Sequence, residues 1–148
     1  MALNVRRVVT RIDEQGKAVV AIDDIAGNTR MPRPGVETVL AWMTDATPAD
    51  LVGTEDLGAR KVERPPSYRG TIFRIIEFGP GNERDMHVTP TIDYAVVMSG
   101  EIEMELDDGF EVHLRAGDVL VQRATIHNWI NRGTGPCVIA FVLIDAQP

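Results

Sequence analysis

The sequence predicts an all-β domain, and three observations carry that expectation. From residue 71 onward, apolar runs of five to eight residues alternate with glycines at 79, 81, 100, 109, 117, 133 and 135, the punctuation of short antiparallel strands. The stretch Glu101, Ile102, Glu103, Met104, Glu105, Leu106 alternates acidic and apolar side chains, which gives a strand one buried face and one wet face. Residues 137–144 are apolar at every position, and four of them are β-branched, behind Gly135 and Pro136, so this run reads as a strand covered on both sides.

Taken in order, Val5 to Ile12 and Lys17 to Ile22 flank Asp13, Glu14, Gln15 and Gly16 and read as a hairpin. A further strand is expected at 36–43, carrying Trp42. Residues 26–35 and 47–67 are rich in Gly, Pro and charge and read as loops, with a short helical turn at 49–51. Asp107, Asp108 and Gly109 turn the chain from 101–106 into a second alternating strand, 110–115, where His113 falls beside Glu111 and Arg115 on the solvent face. The last strand is expected to have the barrel interior on one side and a partner subunit on the other. Residues 1–70 are too short and turn-rich for a core of their own. They are taken as strands and a loop packed on the barrel of 71–148, one domain in all.

Composition narrows the function classes. A formal net charge of −7, without a basic cluster, opposes attraction to nucleic acid. No stretch reaches membrane-spanning length, and charge interrupts the N-terminus before a secretory core forms, so a cytoplasmic protein is expected. The single cysteine, Cys137, lies inside the apolar run and reads as a buried small side chain.

The segment from Gly79 to Asn131 resembles the cupin superfamily, whose two motifs are G(X)5HXH(X)3,4E(X)6G and G(X)5PXG(X)2H(X)3N. The first is traced through Gly81, His87, Thr89, Asp93 and Gly100, with Thr89 in the slot of the second histidine and Asp93 in that of the glutamate. The second runs from Gly117 through Arg123 in the proline slot and Thr125 in the glycine slot to His127 and Asn131, one residue shorter than the pattern. The N-terminal hairpin is also similar to the extension of bacterial single-domain RmlC-like cupins. This resemblance implies a double-stranded β-helix, or jelly-roll barrel, with an N-terminal extension of extra strands.

The same resemblance implies a pocket inside the barrel. Cupins commonly hold iron, manganese, nickel, copper or zinc there, and the matching set is His87, Asp93 and His127, enough for a facial triad with open positions. Thr89 offers only a neutral hydroxyl, and Asp93 is one methylene shorter than glutamate. Without metal, Asp93 and a histidine still form an acid-base pair, and the dTDP-sugar epimerases show the family working in that way. Trp129 shares parity with His127 and is a candidate wall for substrate. Arg123 is a candidate clamp for a carboxylate or enolate, and Arg74, a charge inside an apolar strand, must face solvent, a partner or the pocket. Tyr94 should point away from Asp93, and Asn131 should satisfy main-chain groups at its loop.

Three functions follow from this reading. The first is a metal-dependent small-molecule enzyme catalysing oxygenation, decarboxylation, isomerisation or lyase chemistry. The second is a metal-free isomerase, cyclase or dehydratase, and the third a ligand-binding protein without turnover. A homodimer is expected from the uncovered strands, with neither nucleic acid nor membrane as partner.

Overall fold

A computed structural model describes residues 3–62, 66 and 68–147 of the chain. Among these residues no helix is long and apolar enough to cross a membrane. The regular structure is strands, with single 3-10 turns at Leu57–Ala59 and Asp107–Gly109.

β1 (Arg6–Ile12) and β2 (Ala18–Ile25) make an antiparallel hairpin that, among the described residues, pairs with no other strand. Its turn is closed by Asp13, whose carboxylate accepts the main-chain N–H groups of Gln15 and Lys17. One side chain pins the hairpin to the body. Arg7 donates to Asp24, to Asp56 and to the carbonyl oxygen of Ala41.

β3 (Thr29–Arg33) and β4 (Val36–Thr44) lead into β5 (Thr71–Phe78). The expected loop over 26–35 is therefore corrected, since its middle is a strand. β3 lies at the edge of its sheet, where Pro32 breaks no ladder on the far side, so the composition of a loop coexists with extended pairing. The helical turn expected at 49–51 is absent; there Asp50 bonds the N–H of Val52 locally. The turn instead forms at Leu57–Ala59, capped by the carboxylate of Asp56 on the N–H of Gly58. Of the expected loop 47–67, residues 63–65 and 67 lie outside the described residues.

β6 (Thr91–Ser99), β7 (Glu101–Glu105), β8 (Glu111–Arg115), β9 (Val119–Arg123), β10 (Asn128–Ile130) and β11 (Cys137–Asp145) complete the barrel. Six strands pair in the order β3-β4-β5-β11-β6-β9 and three in the order β10-β7-β8. The two sheets face each other across a core that includes Val36, Ile72, Ile76, Phe78, Val97, Ile102, Met104, Trp129, Ile139, Phe141 and Leu143. At the β6–β7 corner Gly100 has φ of 76°, and a Cβ there would run into the carbonyl oxygen of Pro136, so only glycine turns the chain at this point. Asp108 and Gly109 both take positive φ, 59° and 70°, as the tight turn between β7 and β8 requires.

β11 sits between β5 and β6 and is not an edge. Its outward Val138 and Ala140 pack against the cluster of Ala26, Val39 and Ile75, on which Leu3 and Val5 of the same chain also pack. The outer face of the large sheet thus holds a small apolar cluster to which the N-terminal segment contributes. Further along the same face, Phe73, Tyr94, Val96, Met98, Val119 and Val121 are exposed.

Candidate functional site

The site is built on the inner face of the large sheet. Register places Leu40 opposite Arg74, Arg74 opposite Phe141 and Phe141 opposite Ala95 across four strands. The next inward rung carries Ile72, Leu143, Asp93 and Gln122. Alternation thus turns Arg74 and Asp93 toward the same interior and leaves Tyr94, between inward Asp93 and Ala95, half exposed on the outside.

Over this face two connecting segments meet. His87 and His127 form an isolated antiparallel bridge, each donating its main-chain N–H to the other's carbonyl oxygen at 3.0 and 2.9 Å. Paired residues of such a bridge project side chains to one side, and the two imidazole centroids lie 4.4 Å apart with planes tilted by 57°. The His87 Nδ1 is 2.8 Å from the carbonyl oxygen of Asp85, and the His127 Nδ1 is 2.8 Å from that of Thr125. A ring nitrogen facing a carbonyl must carry the proton, so each neutral ring has its lone pair at Nε2. The Asp85 carboxylate adds a contact of 3.3 Å to the same Nδ1 of His87 and pairs with Arg33 at 3.0 Å.

Asp93 is buried and accepts the hydroxyl of Thr91 at 2.6 Å. Because the Thr91 proton is committed there, the Thr89 hydroxyl, 3.0 Å away, is the donor to Thr91. A chain of hydroxyls therefore leads from Thr89 to the Asp93 carboxylate. Trp129 closes the floor: its ring stands edge-on to His127 at 6.0 Å and to Phe141 at 5.7 Å and packs on Phe78 at 5.8 Å.

These side chains line one cavity, whose wall includes Arg33, Arg74, His87, Thr89, Asp93, His127, Trp129 and Phe141. It encloses about 30 Å³, and about 410 Å³ of empty space including its mouth. A second cavity, enclosing about 50 Å³, shares Arg74 and is otherwise lined by Asn28, Arg30, Thr38, Leu40, Val62 and Ile72.

The structure brings together His87, Thr89, Asp93, His127 and Trp129 from the sequence-derived set, and settles the direction of Arg74. It does not bring Arg123. On β9 the inward position is Gln122, and strand alternation turns Arg123 out to solvent, so the expected clamp does not reach the cavity. Two participants escaped the sequence reading. Arg33 lies between two prolines in a stretch read as loop, and Asp85 is announced only by its position two residues before His87.

The other titratable groups stand apart from this chemistry. His113 is exposed, and bonds to Glu103 and Glu101 hold its pKa above the usual histidine value. Burial pushes the Cys137 thiol up to about 11.

Whether the residues suit a metal is decided by their arrangement. Among the described residues no three His, Cys, Asp or Glu side chains are placed to hold a metal ion. The two histidines alone offer paired imidazole donors, and the three-ligand arrangement is not met. What the site does offer is two imidazoles of defined tautomer, carboxylates at Asp85 and Asp93, and two guanidinium groups around one small space.

Residues 74–144 match the family described as Cupin domain. The chain is 37% identical over 147 residues to the cupin-domain-containing oxidoreductase srdD of Neurospora crassa, spanning 95% of this chain and 75% of that protein. It is 36% identical over 148 residues to the cupin-domain-containing oxidoreductase fogC of Aspergillus ruber, spanning 95% and 72%. Among solved structures, an RmlC-like cupin from Shewanella frigidimarina superposes with a TM-score of 0.52 over 80% of this chain and 84% of that one. The identity there is 15%, a likeness of fold.

Proposed function

Since the chain belongs to the cupin superfamily and has its double-stranded β-helix fold, we propose that it is a small-molecule enzyme that moves a proton beside a carbonyl group. The observation that carries this reading is the pair His87 and His127, with rings 4.4 Å apart and both Nδ1 atoms set on carbonyl oxygens. One Nε2 takes the proton from the carbon next to the carbonyl, and the C–H electron pair passes to the oxygen as an enolate. The resulting imidazolium returns the proton to a different atom of the same substrate. For a hydroxy-carbonyl compound, when the carbon proton moves to the former carbonyl carbon and the hydroxyl proton to the former carbonyl oxygen, one carbon is oxidised and its neighbour reduced, and no external oxidant enters the balance. The relatives' description as oxidoreductases supports an enzyme. The carboxylate of Asp85 lies 3.3 Å from the His87 Nδ1 and helps to fix the orientation of that ring.

The test is carbon-bound hydrogen exchange of hydroxyacetone in D2O, followed by proton NMR. Exchange above the buffer rate that survives chelation and disappears in His127→Gln is the expected result. Exchange at the buffer rate in the wild type overturns the reading.

A second reading draws support from the same two rings, since imidazoles fixed through Nδ1 on carbonyl oxygens are disposed to bind a divalent metal through Nε2. Exchange that is lost on chelation and regained with iron, manganese, nickel, copper or zinc, together with elemental analysis showing that metal bound, selects it. A ligand recovered unchanged after long incubation selects the non-catalytic binding protein.

A further inference from the structure

We propose that the compound handled in this cavity is an organic acid, whose carboxylate is held by Arg33 and Arg74. This rests on the reading of the cavity as the reaction site and names the class of its substrate.

Charge is the first ground. The wall carries two guanidinium groups and the carboxylate of Asp93, and the Asp85 carboxylate pairs with Arg33 from beside it. The protein as a whole has a formal net charge of −7, so a site whose guanidinium and carboxylate groups balance is less hostile to an anion than the molecule around it, and low-dielectric walls sharpen that local difference.

Hydrogen bonding is the second ground. The Arg33 side chain is only 13% exposed, and its ion pair with Asp85 occupies Nη1. Its Nε is buried and has no acceptor among the described residues. A buried donor left unmet is costly, and a ligand oxygen that meets it recovers that cost on binding. The planar guanidinium also presents two parallel N–H groups to a carboxylate, a fit that a carbonyl or hydroxyl does not match.

Placement is the third ground. Arg74 occupies an inward position at the middle of β5, in a rung with Leu40, Phe141 and Ala95, where an aliphatic side chain would fill the core without any charge. Arg74 borders both cavities. The two arginines thus reach the histidine pair from different strands, β3 and β5. A carboxylate between them leaves the carbonyl and the C–H next to it to His87 and His127.

The test compares hydroxypyruvate with hydroxyacetone, its near-isosteric neutral counterpart, by isothermal titration calorimetry, with carbon-bound hydrogen exchange read in the same samples. The acid is expected to bind the wild type at least about tenfold more tightly. Arg33→Gln is expected to remove most of that preference and Arg33→Lys to restore part of it, with far-UV circular dichroism reporting that each variant is folded. The wild-type comparison of the two ligands needs no variant to fold. Equal affinity for the two, binding of neither at millimolar concentration, or a preference that survives in both Arg33→Gln and Arg74→Gln overturns the proposal. A preference without exchange keeps the acid site and overturns the proton-transfer reading. Exchange without a preference does the reverse.

Discussion

His87 and His127 come from segments forty residues apart in the chain, yet they exchange both main-chain hydrogen bonds, at 3.0 and 2.9 Å, and bring their rings to a centroid distance of 4.4 Å. Neither segment belongs to a long strand at this point, so the bridge itself sets the separation of the two rings. Replacement of either ring by glutamine leaves both main-chain bonds in place and removes the titrating nitrogen. We expect His127→Gln and His87→Gln each to lower the exchange rate by about a hundredfold or more. The supporting change Asp85→Asn is expected to cost about tenfold, because Nδ1 keeps its carbonyl acceptor while the side-chain contacts that orient the ring and hold Arg33 are weakened. Exchange rates of the three variants, compared with their melting temperatures, check this order.

Asn131 ends the same segment and does so without touching the cavity. Its amide donates to the carbonyl oxygens of Phe78 and Gly135, and its oxygen accepts the N–H of Gly133. The residue is 1% exposed, so Asn131→Ala leaves the buried carbonyl oxygen of Phe78 unmet and frees the loop groups of Gly133 and Gly135. A loss of about 3 kcal/mol in unfolding free energy is expected by urea titration. Binding of small molecules in the cavity should be retained at low temperature.

Glu77 supplies a pH-dependent term. It is 8% exposed on the outer face of β5, opposite Glu37, and burial raises its pKa above the usual carboxylate value, with Glu37 adding to the effect. The folded chain therefore holds this proton more tightly than the unfolded chain. Its contribution is fully present below the unfolded value and is lost as pH rises through the folded one. Glu77→Gln keeps the neutral form at every pH. Its melting temperature should match wild type near pH 3.5 and exceed it at pH 7.5, as differential scanning calorimetry at the two values would show.

The exposed side chains Phe73, Tyr94, Val96, Met98, Val119 and Val121 form one apolar stretch on the large sheet, and the hairpin exposes Val8, Ile12, Val20 and Ile25. Both surfaces belong to every copy, so a twofold arrangement in which each hairpin lies on the other's sheet covers both at once. Light scattering is expected to give twice the chain mass for wild type and the single mass for a Val96→Glu, Val121→Glu double variant. A wild-type protein that stays monomeric at micromolar concentration contradicts the pairing.

Much of the barrel was legible in the sequence because its strands alternate and its turns carry glycine. Ile102 and Met104 are buried as their spacing requires, and Gln122 and Arg123 divide inward and outward by the same rule. β3 was not legible, because an edge strand tolerates the prolines that argue against a strand elsewhere. Within the site, His87, Asp93 and His127 were marked by motif spacing, and they line one wall. Arg33 carried no such mark. Its participation depends on β3 folding against β4, a long-range event to which no local pattern points. Arg123 misled for the converse reason, since a motif slot fixes sequence position, and the strand's parity decides where the side chain goes.

Cys137 begins β11 with its side chain fully enclosed, and its thiol is pushed up to about 11. At neutral pH almost none of it is thiolate, the only form that alkylating reagents and disulfides attack readily. For chemical labelling, the native fold therefore behaves as though it contained no cysteine. A cysteine introduced on the hairpin or at the cavity mouth would react with a fluorophore or spin label alone, and distances across the barrel can be measured in the otherwise native sequence.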